Sequence, residues 1–164
     1  TEIFQDAKER AWSFSLTFGD IKRVLTLTGI NLAQPGKAIT TEEEASKVTE
    51  ENMPNYLKLA SDPLLLLDVV YAVIEPQAKQ KDVSSDEFGA SITPKLFNEI
   101  NAIFWRVYND FFLEAGDSVS AKLIGSVGRL RKEQEKQANK MDAVLETAIQ
   151  KMDQEIDQQI ATIQ

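Results

Sequence analysis

The chain of 164 residues contains neither cysteine nor histidine. Without cysteine there are no disulfide bonds, thiolate nucleophiles or cysteine metal sites, and a reducing compartment is favoured. Without histidine the chain lacks the commonest general base, metal ligand and pH switch. It also has no phosphate-binding glycine loop and no nucleophile elbow. The sequence therefore predicts no catalytic residue, no cofactor and no metal ion.

Basic residues are outnumbered by acidic ones. The chain carries 18 Lys and Arg against 26 Asp and Glu, which gives a net charge of −8. An acidic surface repels phosphate groups and anionic lipid, so the sequence predicts no nucleic-acid partner and no membrane partner. Residues 1–6 show no basic region followed by an apolar one, and we expect no secretory signal.

The longest apolar run, residues 64–74, is about a dozen residues long, whereas a membrane-spanning helix needs about 20. Asp62 and Pro63 precede the run and suit the N-cap and the first helical position. Pro76 is expected to end or kink the helix. The pattern predicts a helix over about 63–74 that is apolar on nearly every face and forms the buried centre of the core.

Asp68 lies inside this apolar run, and a buried carboxylate needs a hydrogen-bond or ionic partner. The sequence predicts a structural ion pair of Asp68 with Arg106 or Lys22 rather than a catalytic role. Other acidic groups, in which Asp62 could pair with Asp68 or Asp82 with Asp86 and Glu87, have capping or surface explanations. We therefore predict that the chain is not an enzyme.

Alternation of Trp12, Phe14 and Leu16 with polar residues predicts one short N-terminal strand near 10–17. Its partner is expected near 37–40 or in another subunit. Thr17 and Asp20 have the spacing of a capping box and predict a helix over 18–28.

Helical signals dominate the rest of the first 116 residues. Residues 31–53 are predicted to be a loop with some helix in it. A short helix is expected after Pro54, and an aromatic helix over about 94–114 is expected to pack on the 63–74 helix. The predicted fold is mainly α, with a compact helical domain over 1–116 and a long amphipathic C-terminal helix over 117–164.

That last segment contains no proline, and after Gly128 it contains no glycine. Its apolar residues recur in steps of three and four, which predicts one helix on the order of 65 Å long. A long helix is marginally stable alone, so we expect it to bind a copy of itself, a folded-back segment or another protein. The predicted partner-binding residues, with Val144 as an alternative to Leu145, are Val127, Leu130, Met141, Leu145, Met152, Ile156, Ile160 and Ile163.

Four segments carry a resemblance to a known group of proteins. They are LTFGDIKRVLTLTGINL (16–32), DPLLLLDVVYAVIEPQAK (62–79), VSSDEFGASI (83–92) and an aromatic helix that ends NDFFLEAG (109–116). In this order they resemble small proteins from the tail genes of tailed phages and prophages, which are regarded as tail assembly chaperones or minor tail proteins. The resemblance covers residues 10–116, and residues 35–54 depart from it as an insertion.

The resemblance implies a non-enzymatic bacteriophage morphogenesis protein that acts through protein contacts in tail or neck assembly. Its expected partners are other tail or neck proteins, or a second copy bound through the C-terminal helix. Its expected location is the host cytoplasm during assembly, or the virion. The alternative is a cellular coiled-coil adaptor unrelated to phage.

Overall fold

The computed structural model describes residues 1–163, and in these residues the fold is mainly α, as predicted. Two short strands precede seven helices. The elements are β1 (Glu2–Gln5), β2 (Ala11–Phe14), α1 (Phe18–Thr28), α2 (Glu42–Ser46), α3 (Asn55–Ser61), α4 (Pro63–Lys81), α5 (Ser85–Ala90), α6 (Pro94–Glu114) and α7 (Ser118–Ile163). Residues Thr1–Gly128 form one compact unit, and a second unit begins at Arg129.

Helix α4 lies at the centre of the first unit, as its apolar sequence predicted. It contacts α1, α3, α5 and β2. Leu66, Val70 and Ile74 are completely buried, and they share one hydrophobic core with Phe104 and Tyr108 of α6. The Tyr108 hydroxyl donates to the carbonyl oxygen of Leu32 at 2.6 Å, so this buried polar group is satisfied.

Helix α1 forms where the capping box placed it. The Asp20 N–H donates to Thr17 Oγ1 at 3.3 Å, and the Thr17 N–H donates to Asp20 Oδ2 at 2.8 Å. The helix ends at Gly29, whose φ of 78° is left-handed and favours glycine. The α1 prediction is confirmed at both ends.

Helix α4 extends past Pro76 to Lys81, so the predicted end at residue 74 is wrong. Proline has no N–H to donate to the carbonyl four residues earlier, which is that of Ala72. Arg23 supplies the missing donor, because its Nη1 lies 3.2 Å from the Ala72 oxygen and 3.0 Å from the Val73 oxygen. Asp20 Oδ1 accepts from both terminal nitrogens of Arg23 at 3.0 and 3.2 Å and fixes the guanidinium.

The predicted partner of strand β2 is wrong. Strand β2 pairs antiparallel with β1, with Phe4 opposite Trp12, and not with residues 37–40. Strand β1 has only four residues, and of these only Phe4 is buried. One buried residue does not show a period of two, so the sequence pattern did not indicate this strand. The other edge of β2 is occupied by Gln77: its Oε1 accepts from the Ser13 N–H at 2.9 Å, and its Nε2 donates to the Ser13 oxygen at 2.7 Å.

The ion pair predicted for Asp68 does not form. Asp68 is exposed, because it follows Leu64 by one helical turn on the side of α4 that faces solvent. Arg106 instead pairs with Glu2 at 2.9 Å. Within residues 1–163 no ion pair of Asp68 is formed.

The turn between the strands is organised by Asp6, whose side chain is completely buried. Its carboxylate accepts from the Arg10 Nε at 2.7 Å, from the Trp12 Nε1 at 3.0 Å, and from the backbone N–H groups of Lys8 and Arg10. Burial alone raises the pKa of a carboxyl group, but these hydrogen bonds favour the charged form and hold the Asp6 pKa below its usual 3.8.

We expect Arg23→Met to lower the free energy of unfolding by about 1–3 kcal/mol, because it leaves the Ala72 oxygen without a donor. Lys22→Met, at the exposed neighbouring position, is the control. In a Pro76→Ala background, where residue 76 again has an N–H, the cost of Arg23→Met should fall by about 1 kcal/mol. Urea unfolding of the unchanged chain, the two single variants and the double variant measures this coupling. An equal loss of unfolding free energy from Arg23→Met in both backgrounds would contradict it.

We expect Asp6→Asn to destabilise the protein by about 2–3 kcal/mol near neutral pH, because an amide nitrogen cannot accept the hydrogen bonds that Oδ2 accepts from Arg10 and Trp12. The folded pKa of Asp6 lies below the unfolded value, so the carboxylate stabilises the fold above about pH 4. This contribution is lost as the pH falls through the folded pKa. Below that pH the unfolding free energies of the original protein and of Asp6→Asn should converge. Urea unfolding between pH 2 and 7 checks this, with Asp68→Asn as the exposed control. A difference that does not change with pH would be evidence against it.

Candidate interaction surface

The second unit, described from Arg129 to Ile163, is helical throughout. It is rich in Ala, Glu, Lys and Gln, which are strong helix formers, and it has no proline or glycine. The hydroxyl groups of Thr147 and Thr162 donate to carbonyl oxygens one turn earlier, at 3.0 and 2.8 Å, and so fit inside the helix. The segment alone is about 50 Å long at 1.5 Å per residue.

Large apolar side chains stand exposed along this helix. Nine of them have at least half of their surface exposed, and eight of the nine lie on one face and constitute the apolar stripe: Leu130, Met141, Leu145, Ile149, Met152, Ile156, Ile160 and Ile163. Ordinary protein surfaces expose large apolar side chains singly, whereas these side chains lie in one row. Such a row indicates a surface that contacts another molecule.

The spacing of the stripe is regular, with steps of four, four and three residues. Residues 130, 141, 152 and 163 recur every 11 residues, as do the sets 134, 145, 156 and 138, 149, 160. Eleven residues over three turns give 3.67 residues per turn, which is close to the 3.6 of an α-helix. The ten positions therefore stay on one face of the helix, and only Gln134 and Ala138 among them are not large apolar residues.

The structure places seven of the eight predicted partner-binding residues on this stripe. Val127 is elsewhere, because it is 8% exposed and belongs to the core of the first unit. Ile149 is the stripe member that the sequence prediction missed. Counting in steps of three and four residues from position 144 or 145 leads to Ala148. The 11-residue repeat instead leads from position 138 to Ile149. The same repeat selects Leu145 over the alternative Val144, which is 63% exposed but lies off the stripe.

Charges around the stripe are unevenly distributed along the helix. Residues 129–140 hold five basic and two acidic residues, which is a net charge of +3. Residues 141–163 hold five acidic residues and one basic residue, which is a net charge of −4. The apolar stripe thus begins in a basic segment and continues through an acidic one.

Acidic residues considered from the sequence as possible acid–base groups have local structural roles. Asp62 Oδ1 accepts from the N–H groups of Leu64 and Leu65, both at 3.1 Å, and caps α4. Asp82 ends that helix with a left-handed φ of 55°. Among residues 1–163, no three His, Cys, Asp or Glu side chains are grouped so as to hold a metal ion.

An open cavity of about 560 Å³ lies beside α2, lined by residues 36–39 and by Glu44 and Lys47 among others. Both charged side chains have local partners. Glu44 Oε2 accepts from the Thr40 N–H at 3.2 Å, and Lys47 Nζ lies 3.3 Å from Glu43. The apolar stripe is the more distinctive feature, and we take it as the candidate site.

Comparison of the chain with protein-family models, with curated proteins and with solved structures found no match. The function is therefore inferred from the residues and geometry of the chain itself. Within residues 1–163, the helices include none with the length and apolar character needed to cross a membrane.

We expect a chain that ends after Gly128 to keep its fold, because all of the buried apolar side chains found in residues 1–163 precede residue 129. Both tryptophans, Trp12 and Trp105, are buried in this unit and report its unfolding by fluorescence. The free energy of unfolding in urea should lie within about 1 kcal/mol of that of the full chain, which is the control. Loss of a cooperative transition in the shortened chain would show that the first unit cannot fold alone.

Proposed function

We propose that this chain is a non-enzymatic protein of tailed-bacteriophage morphogenesis, which acts through protein contacts made by the apolar stripe, either with other tail or neck proteins or with a second copy of itself. The observation that carries the proposal is the alignment of eight exposed apolar side chains on one helix face. Burying a side chain of this size contributes about 1.5–3 kcal/mol, so covering several of them supports a stable complex. The phage setting is supported by the resemblance of residues 10–116.

The mode of binding is packing of side chains between helices. The segment is helical in the single chain, which lowers the entropy cost of ordering it on association. A partner that fits must present apolar side chains at helical spacing, or an apolar groove about 50 Å long. Binding of this kind needs no catalytic group.

Two roles in tail or neck assembly use such a surface. A tail assembly chaperone would cover apolar segments of the tape-measure protein and prevent their aggregation before the tail polymerises. A minor virion component would hold neighbouring subunits together permanently. The first role places the protein in the host cytoplasm during assembly, and the second places it in the particle.

The proposal is tested by capture from the native host while phage is being produced. The full chain and the chain that ends after Gly128 are tagged identically, and bound proteins are identified by mass spectrometry. We expect tail or neck proteins with the full chain and their loss with the shortened one.

Mass spectrometry of purified particles then separates the two roles. A chaperone should be absent from particles, and a virion component should be present at a fixed copy number. Capture of cellular proteins alone would overturn the phage proposal and favour a cellular adaptor. Equal capture by both forms of the chain would overturn the role of the stripe.

A further inference from the structure

The 11-residue repeat restricts what can cover the apolar stripe. A helix that packs along all of it must present apolar side chains with the same period, since a heptad partner drifts away from the contact line within a few turns. An 11-residue repeat also predicts a right-handed supercoil rather than the left-handed one of a leucine zipper. A second copy of this chain has the required period over the full length of the stripe.

The charge distribution sets the direction in which a second copy would run. Packed helices lie about 8–10 Å apart, which is no more than about one Debye length at physiological salt. In a parallel pair the segment of net charge +3 faces its own copy, and so does the segment of net charge −4. In an antiparallel pair the basic segment 129–140 faces the acidic part of the other helix, which is attractive.

An antiparallel pair also has a register in which the nine stripe positions from 130 to 160 face one another. This occurs when the numbers of opposed residues add to 290, so that Leu145 faces its own copy at the two-fold axis. Met141 then faces Ile149, and the small Ala138 faces the larger Met152. In a parallel pair Ala138 would face Ala138, which leaves a gap in the contact.

The amount of exposed apolar surface is sufficient for a dimer. At about 100 Å² for each large aliphatic side chain, the eight side chains of the stripe offer on the order of 800 Å². A standard protein interface buries about 800 Å² on each partner. From residue 130 to residue 160 the stripes of two copies can therefore cover each other, with an area close to that standard.

We infer that the occupant of the apolar stripe is a second copy of this chain, packed antiparallel with Leu145 at the two-fold axis. The inference rests on the proposed function in taking the stripe as a binding surface, and it identifies the partner. Two-fold symmetry makes the contact isologous, so it closes as a dimer and does not propagate.

The first test is the oligomeric state of the full chain by sedimentation equilibrium. We expect a dimer whose dissociation constant rises at least about 100-fold with Leu145→Glu, because two charges are then opposed at the axis. Val144→Glu is the matched control, since it adds the same charge at the neighbouring exposed residue off the stripe, and its effect should stay below about 3-fold. Circular dichroism confirms that both variants remain helical.

The second test uses the natural absence of cysteine to determine direction. Proteins carrying Ala138→Cys or Met152→Cys alone are oxidised separately and as a mixture. We expect a disulfide only between the two different proteins. Residue 138 of one copy lies opposite 152 of the other, and like positions are 14 residues apart, about 21 Å along the helix.

Other outcomes would overturn the inference. One is a full chain that stays monomeric at concentrations up to about 1 mM. Another is a disulfide between two copies of the same single-cysteine variant, because it indicates a parallel pair. A monomer that still captures tail or neck proteins through the stripe would refute the dimer and leave the proposed function standing. A dimer that captures none of them from the native host would support the inference and refute the proposed function.

Discussion

The carbonyl oxygen of Ala72 needs a hydrogen-bond donor, and the arrangement of the first unit depends on how it is supplied. Pro76 cannot provide the donor, and the Arg23 guanidinium does. The same arginine is held by Asp20, which also caps α1, so the start of one helix and the middle of another are joined by three side chains. Helix α4 can then continue through Gln77 and Ala78, and these two residues connect it to β2 and to the segment before α5.

Features encoded within a few residues of sequence were predictable. The beginnings of α1 and α4 were confirmed because the side chains of Thr17, Asp20 and Asp62 bond to backbone groups two or three residues away, and because Pro63 has a φ suited to the first helical position. The end of α4 was not predictable, because its continuation past Pro76 depends on Arg23, some fifty residues earlier. The exposure of Asp68 was missed for a related reason. An apolar run shows that a helix is central, but only the neighbouring elements determine which of its sides stays in water.

The candidate site shows how the choice of period affects a prediction. Steps of three and four residues identified most of the stripe but passed over Ile149. The 11-residue repeat fits Ile149 because it constrains all ten positions together. Val127 fits the shorter steps and also the 11-residue repeat, since it lies 11 residues before position 138, yet it belongs to the core of the first unit. Its burial is set by tertiary packing, which periodicity along the helix does not encode.

The contact between Gln77 and Ser13 has a consequence for the behaviour of the chain at high concentration. Unpaired backbone groups along a sheet margin can recruit strands from other molecules and seed fibrils. At the exposed margin of β2 the Ser13 N–H and carbonyl are already engaged by one amide side chain. The Gln77 amide of α4 therefore disfavours the addition of another strand at Ser13, because the two backbone groups that such a strand would pair with are already bonded.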